Sequence, residues 1–356
     1  MKRLLTVGLV SAMILSLAVG CGPKKEAEAP ATEAETQTEE AAQPAAEGAK
    51  KVEVLFYQFN DTYLSMVREE LKKLDEADPE IEFSFQDAQG DQGKQNDEVD
   101  ATLSGNVDAL LVNLVDTGAA QVVIDKVKET EKPLVFFNRE PDNIDSYKTY
   151  DKARFVGTQI EEAGVMQGEL VKAYWEANKE TADRNKNGKL DYVLLHGGLD
   201  NAEAIARSEY SVKTVMDAGI EVNKIGEQIA LWDTEKAKQA MDAWLAKDEA
   251  NIDVVFANND GMAIGAINAL KAIGYNDADT SKHVAVFGVD ATEEAKAAIA
   301  AGSMDGTVMQ DAPAMAKAMY DLAKNAANGK EFIEGTDYSY DASGVAVRIP
   351  YAKYEQ

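Results

Sequence analysis

From Val52 onward the chain alternates short apolar, β-prone runs with stretches that are apolar at helical spacing, and this alternation constrains the fold more than any other feature. The first pair is the run 52–57 (VEVLFY) followed by Tyr63, Val67, Leu71 and Leu74. Further strands are expected at 81–85, 109–112, 133–137, 155–156, 190–195, 222–230, 254–257, 284–289 and 306–309. Helical patterns fall between them at 92–104, 117–130, 161–177, 203–217, 234–247, 261–273, 292–301 and 312–328. Strand followed by helix in this rhythm implies α/β layers, with parallel sheets covered by helices on both faces. So many strands favour two doubly wound sheets over one very wide sheet. Ligands of such sheets bind beyond the carboxyl ends of the strands. Asp61, Asn138, Asn259 and Asp290 all fall at those ends. Polar loop ends are common, and it is the recurrence in both halves of the chain that marks these four.

Composition removes several function classes. The 356 residues carry 63 acidic against 36 basic side chains, a formal charge of −27, which disfavours any partner built on phosphate. One cysteine rules out a disulfide framework, and two histidines, His196 and His283, rule out a multi-histidine metal centre. No G-x-G-x-x-G, Walker, G-x-S-x-G or C-x-x-C motif is found, and no carboxylate pair stands out by spacing. Catalytic residues are therefore not assigned, and the expectation is a binding protein.

The first fifty residues read differently from the rest. Residues 1–20 have two basic residues, an apolar run and small residues before Cys21, which is a signal-peptide pattern. Ala18-Val19-Gly20-Cys21 resembles a bacterial lipobox, which would make Cys21 the lipidated start of the mature chain. Residues 22–50 lack aromatic and β-branched aliphatic side chains and cannot bury enough surface to offset their ordering entropy. The expectation is a disordered acidic tether at 21–50 that holds a soluble body at the cell envelope, anchored to a membrane without spanning it.

Residues 183–191 (DRNKNGKLD) match a calcium-binding loop at several positions. Asp183, Asn185 and Asn187 stand at positions 1, 3 and 5, Gly188 at the sharp turn, the Lys189 carbonyl at position 7 and Asp191 at position 9. Leu194 stands where the closing acid belongs, so an acid from elsewhere would have to complete the cage. The same pattern also suits an ordinary Asn/Gly turn ahead of a strand.

Six segments carry a family likeness: DQGKQND (91–97), NLVDTGAA (113–120), VFFNREP (135–141), LWDTEKAKQAMDAWL (231–245), ANNDGMAIGA (257–266) and VFGVDA (286–291). In order and spacing the chain resembles the bacterial periplasmic galactose/glucose-binding proteins of sugar ABC transporters, over about Val52 to Tyr351. The resemblance implies two α/β lobes joined by a three-crossing hinge, closing over one sugar. It places one lobe at 51–157 plus 311–343 and the other at 158–310 plus 344–356. It also implies a structural calcium in the 183–191 loop, with Asp253 supplying the last acid where the family commonly has glutamate.

For the sugar, the resemblance implies Tyr63 and Trp232 as the aromatics that cover the ring's faces, where core packing would be the alternative. Asp61, Asn138, Arg207, Asn259 and Asp290 would bond the hydroxyl rim. Asp61 matches the residue that meets the hydroxyl distinguishing glucose from galactose, so either epimer would be accepted. Three positions depart from the family: Asn201 for histidine, Glu203 for aspartate and Gln310 for asparagine. They would either compensate one another or retune the site to another monosaccharide, and Asp200 would take the carboxylate role if the loop shifted. The partners implied are a monosaccharide and a membrane permease, or alternatively a chemoreceptor, with the protein acting as a monomer. A DNA-binding repressor can share this fold, but a signal and acidic tether replace the basic helix-turn-helix it would need.

Overall fold

The computed structural model describes residues 48–141, 143–248, 251–277 and 282–354. The signal pattern, Cys21 and nearly all of the acidic tether lie outside the described residues. Among the described residues no helix is long and apolar enough to cross a membrane.

The alternation expected from sequence is realised as two six-stranded sheets. The first half of the chain runs β1 (Lys50–Phe56), α1 (Thr62–Ala77), β2 (Ile81–Asp87), α2 (Gln92–Ser104), β3 (Ala109–Val112), α3 (Ala120–Glu129), β4 (Leu134–Phe137) and β5 (Ala153–Gly157). The second runs α4 (Ile160–Ala182), β6 (Leu190–His196), α5 (Ala202–Asp217), β7 (Val222–Ile229), α6 (Thr234–Asp248), β8 (Val254–Ala257) and α7 (Asp260–Ala272). It continues through β9 (Ala285–Asp290), α8 (Glu293–Ala300) and β10 (Gly306–Gln310). After α9 (Ala312–Ala327) come two short strands that periodicity did not reveal, β11 (Ala346–Arg348) and β12 (Tyr351–Lys353). At three residues each they are too short to show a period.

The strand orders are β11-β5-β4-β3-β1-β2 and β12-β10-β9-β8-β6-β7. All recorded pairings are parallel except β12 against β10 and an isolated bridge between Tyr340 and Val347. Every residue of β3 (ALLV), β4 (LVFF) and β8 (VVFA) is buried, as strands covered on both faces require. In β1 the two-residue side-chain period sends Val52, Val54 and Phe56 to the core shared with α1 and α9, and Leu55 to the core beneath α3.

The chain passes from the first sheet to the second three times: between β5 and α4, back between β10 and α9, and again between β11 and β12. The family-based division put 344–356 with the second lobe, but Ala346–Arg348 pair with β5 in the first, so the last crossing falls between Arg348 and Tyr351. Helices α4 and α5 lie close because glycines remove the side chains between them. A Cβ on Gly168 would stand 2.5 Å from the Ser211 carbonyl oxygen. This contact seats α5, which carries two residues of the site described below.

Helices α1 and α9 are tied at their ends, where Asp78 accepts hydrogen bonds from the Tyr320 hydroxyl and the Lys324 ammonium. Burial opposes its charge, yet these bonds hold the Asp78 carboxyl down at about 2, against an ordinary value of 3.8. A depressed carboxyl pKa contributes stability that is present above the ordinary value and lost as pH falls toward the folded one. Asp78→Asn should therefore lower the melting temperature at pH 7 by the equivalent of about 1 kcal/mol, small because the pair is solvent-screened. The difference from wild type should shrink as the pH falls from about 4 to about 2, measured by thermal unfolding across that range.

Candidate functional site

The loops and helix starts that follow strands of both sheets line a common cavity. Tyr57, Asp61, Tyr63, Asn138 and Arg139 enter it from the first sheet's side. Asn201, Glu203, Arg207, Trp232, Asn259 and Asp290 enter from the second, with Gln310 at the second crossing. All ten residues assigned to the site from the sequence are thus brought together. Tyr57 and Arg139 were missed. Arg139 directly follows Asn138 within the VFFNREP segment, and its guanidinium lies 4.6 Å from the centre of the Tyr57 ring. Asp200 is not among the lining residues; its carbonyl accepts a 3.3 Å hydrogen bond from the Thr117 hydroxyl.

Several of these side chains are fixed because they also start helices. Asp61 caps α1, its Oδ1 accepting from Leu64 N at 2.9 Å while Oδ2 accepts from the Tyr57 hydroxyl at 2.7 Å. Asn201 caps α5 through Ala204 N at 2.8 Å, and Asn259 caps α7 through Met262 N at 2.9 Å. A polar side chain at the N-cap satisfies an otherwise orphaned amide, so these positions select Asp and Asn for local reasons as well. Asn138, Trp232 and Asp290 have φ of 60°, 63° and 127°, backbone strain of the kind that concentrates at ligand sites. The Trp232 ring lies against Gly197, where a Cβ would stand 2.3 Å from Cζ2. Only glycine leaves room for the indole in that place.

Arg207, 2% exposed, is the more deeply buried of the two arginines on the cavity. Its Nη1 donates to the Asn258 carbonyl at 2.7 Å, and its Nη2 donates to Gln310 Oε1 and to the Tyr351 hydroxyl, both at 2.8 Å. Glu203 Oε2 lies 3.5 Å from Nη2, and Asp290 Oδ1 lies 3.9 Å from Nη1. Burial opposes the charge, but Tyr351, Glu203 and Asp290 together hold the guanidinium firmly protonated. The other oxygen of Glu203 accepts from the Thr158 hydroxyl and lies 3.4 Å from the Tyr351 hydroxyl. Thr158, Gln310 and Tyr351 belong to the first, second and third crossings, so one pair on α5 bonds a residue at each. Asp290 is pushed well up by burial, with Arg207 opposing and Asp260, Asp61 and Glu203 adding to the rise.

Some polar atoms here have no partner within the protein. Tyr63 Oη, Arg207 Nε, Asp290 Oδ2, Gln310 Nε2 and Arg139 Nε are buried and unpaired. Buried polar atoms are nearly always hydrogen-bonded. Five such atoms on residues of one cavity mark a place where a polar ligand completes the structure.

The 183–191 loop is also assembled as a unit. Asp183 accepts from Asn187 N and Gly188 N, Asn185 Oδ1 from Asn187 N, and Asn187 Oδ1 from Lys189 N, at 2.7–3.1 Å. Asn185 and Asn187 donate their amide N–H groups to Asp191 Oδ2 at 2.7 Å, and Asn223 donates to Asp191 Oδ1. Asp253 bonds both ends of the loop, accepting from Arg184 N at 3.0 Å and from Asp191 N at 2.9 Å. Burial pushes its carboxyl up to about 6, with the Asp191 and Asp183 charges adding to the rise. The oxygen-only donor set and this crowding of carboxylates suit a hard cation. Yet the loop already closes on its own hydrogen bonds, and among the described residues no three acidic, histidine or cysteine side chains form a ready cage.

Comparison with known proteins follows the same lines. A family model described as a periplasmic binding protein domain matches residues 52–331. A D-galactose/methyl-galactoside binding periplasmic protein of Haemophilus influenzae is 38% identical over 302 residues, covering 85% of this chain and 88% of that one. A putative rhizopine-binding protein of Rhizobium meliloti is 33% identical over 276 residues, covering 76% and 82%. Among solved structures, an ABC transporter solute binding protein from Bacillus halodurans with bound myo-inositol superposes with a TM-score of 0.69 at 29% identity. That match covers 87% of this chain and 96% of the other.

Proposed function

The chain belongs to the periplasmic binding protein family, and on that premise we propose that it captures a hexose, D-glucose or D-galactose, between its two sheets and delivers it to the permease of an ABC transporter. Its relatives are binding proteins, and it is a binding protein and not an enzyme. The observation that carries the reading is the cavity itself, where two aromatics, Tyr63 and Trp232, enter from opposite sheets among unpaired donors and acceptors. A pyranose offers apolar C–H faces to the aromatics and a rim of hydroxyls that each donate and accept. Charge supports a neutral ligand. Arg207 is already ringed by Glu203 and Asp290, with Asp61 on the same cavity, so three carboxylates stand against the two arginines there and an anion is not favoured over a neutral ligand. Closure transmits binding to the permease because the sugar touches both lobes at once only when they are together, which favours the closed state differentially.

A second reading, another ring polyol such as an inositol, is favoured by the myo-inositol in the solved relative and by Asn201, Glu203 and Gln310. Calorimetric titration with glucose, galactose, myo-inositol and a pentose panel separates the two. Glucose or galactose should bind one per chain without turnover, and at a hundredfold excess over Kd should add about 2.7 kcal/mol of stability. Binding of inositol alone would transfer the assignment to the second reading.

Lipid anchoring at Cys21 is part of the proposal, supported by the signal pattern ahead of it. A Cys21→Ser variant should move from the membrane fraction to the soluble fraction of cells, and its retention in the membrane would remove the anchor.

Calcium is proposed as an auxiliary tie on the 183–191 loop, held by Asp183, Asn185, Asn187, the Lys189 carbonyl, Asp191 and Asp253. There it would supply charge balance for three neighbouring carboxylates. Because the loop is also tied by its own hydrogen bonds and by Asp253, chelation should leave the fold and sugar affinity intact. Calcium at tenfold over its Kd should add about 1.4 kcal/mol to thermal stability. A protein that unfolds on addition of EGTA would show that calcium is essential to the loop.

A further inference from the structure

We propose that the hydroxyl of Tyr63 is a specificity element of the site: it hydrogen-bonds one ligand hydroxyl that Asp290 Oδ2 or Arg207 Nε grips from the opposite lobe. This rests on the sugar-binding reading above and deepens it.

Stacking on a sugar face needs only the ring, and a phenylalanine would supply it. Tyr63 adds a hydroxyl, and its position makes that addition costly. The residue is 4% exposed, and Oη has no hydrogen-bond partner in the protein. A buried phenol without a partner is destabilising, whereas one that meets a ligand group is not. Tyr63 lines the same cavity as Asp290, Glu203, Arg207 and Gln310. Tyr63 itself stands on α1, which packs on the first sheet, while Asp290 and Arg207 belong to the second. The phenol and these groups therefore line one cleft from different sheets.

The second sheet's wall leaves matching atoms unpaired. Asp290 Oδ2 is an acceptor and Arg207 Nε a donor, both without partners, and neither bonds Tyr63 Oη directly. Gln310 Nε2 is a further unpaired donor on the same cavity. A phenol both donates and accepts, as does a sugar hydroxyl, so a hydroxyl placed between them satisfies each with consistent polarity. Glu203 lines the same cavity with one oxygen already engaged, since its Oε1 takes the Thr158 hydroxyl. The extra hydroxyl on Tyr63 and the longer carboxylate side chain of Glu203 are thus two departures on opposite walls of one pocket. Because Tyr63 and its counterparts lie on different lobes, the ligand hydroxyl is read only as the cleft closes. A ligand lacking it leaves Tyr63 Oη and its counterpart on the second lobe unpaired, which is how a polar site rejects a deoxy analogue.

The test is calorimetric titration of the full chain and of Tyr63→Phe with glucose, galactose and the monodeoxy analogues of whichever binds more tightly. Wild type should lose about tenfold or more in affinity on one deoxy analogue in particular. Tyr63→Phe should lose a similar factor for the parent sugar and nothing further on that same analogue. The ligand-free variant should melt at or above the wild-type temperature, because it no longer buries an unpaired hydroxyl. That gain excludes a folding defect as the cause of weaker binding. Equal affinities of the two proteins for every sugar would overturn the proposal, as would a uniform loss across the parent and all analogues. A wild type that binds no sugar in the panel would overturn the hexose reading and this one together, a result distinct from either.

Discussion

A single buried cation organises this molecule. Arg207 sits in the body of α5 at 2% exposure, and an ion out of water costs several kcal/mol unless its surroundings repay it. Repayment comes from the Asn258 carbonyl, Gln310, Tyr351 and the carboxylates of Glu203 and Asp290. Those partners are drawn from the crossings between lobes as well as from the cavity wall. The guanidinium thereby links the hinge and the ligand site without any separate device. Its Nε is left over, directed by a side chain that every other contact holds still.

The rest of the site depends on where an α/β sheet puts its loops. Each wound strand ends at the cleft, and the helix after it begins with exposed amide groups that need an acceptor. Asp61, Asn201 and Asn259 answer that need and line the cavity in the same act. The local energetics of helix initiation and the chemistry of recognition are served by the same side chains.

Much of this was legible in the sequence, for identifiable reasons. Apolar runs of four or more residues alternate with amphipathic helices, so the two-sheet architecture and nearly every strand could be read from the sequence. The ten cavity residues came from the family resemblance, four of them inside the matched segments, and the four at strand ends were also visible from position alone. What spacing could not show were β11 and β12, three residues each, and the exact place of the last crossing. Tyr57 and Arg139 escaped because their roles arise from packing against each other and on Asp61, contacts that join separate segments of the chain. Nor could sequence tell that Glu203, one methylene longer than aspartate, would reach for Thr158. That outcome depends on fractions of an ångström across a crossing.

The double duty of the helix-starting residues restricts how such a pocket can drift. An exchange at Asp61, Asn201 or Asn259 that improves a ligand contact but cannot hold the first turn is penalised in folding before it is ever tested in binding. Only a short alphabet of small polar residues satisfies both demands. Asn201 belongs to that alphabet and caps its helix. Positions 203 and 310, free of that obligation, tolerate longer side chains, and it is there that a lineage can most readily change its diet without unravelling its scaffold.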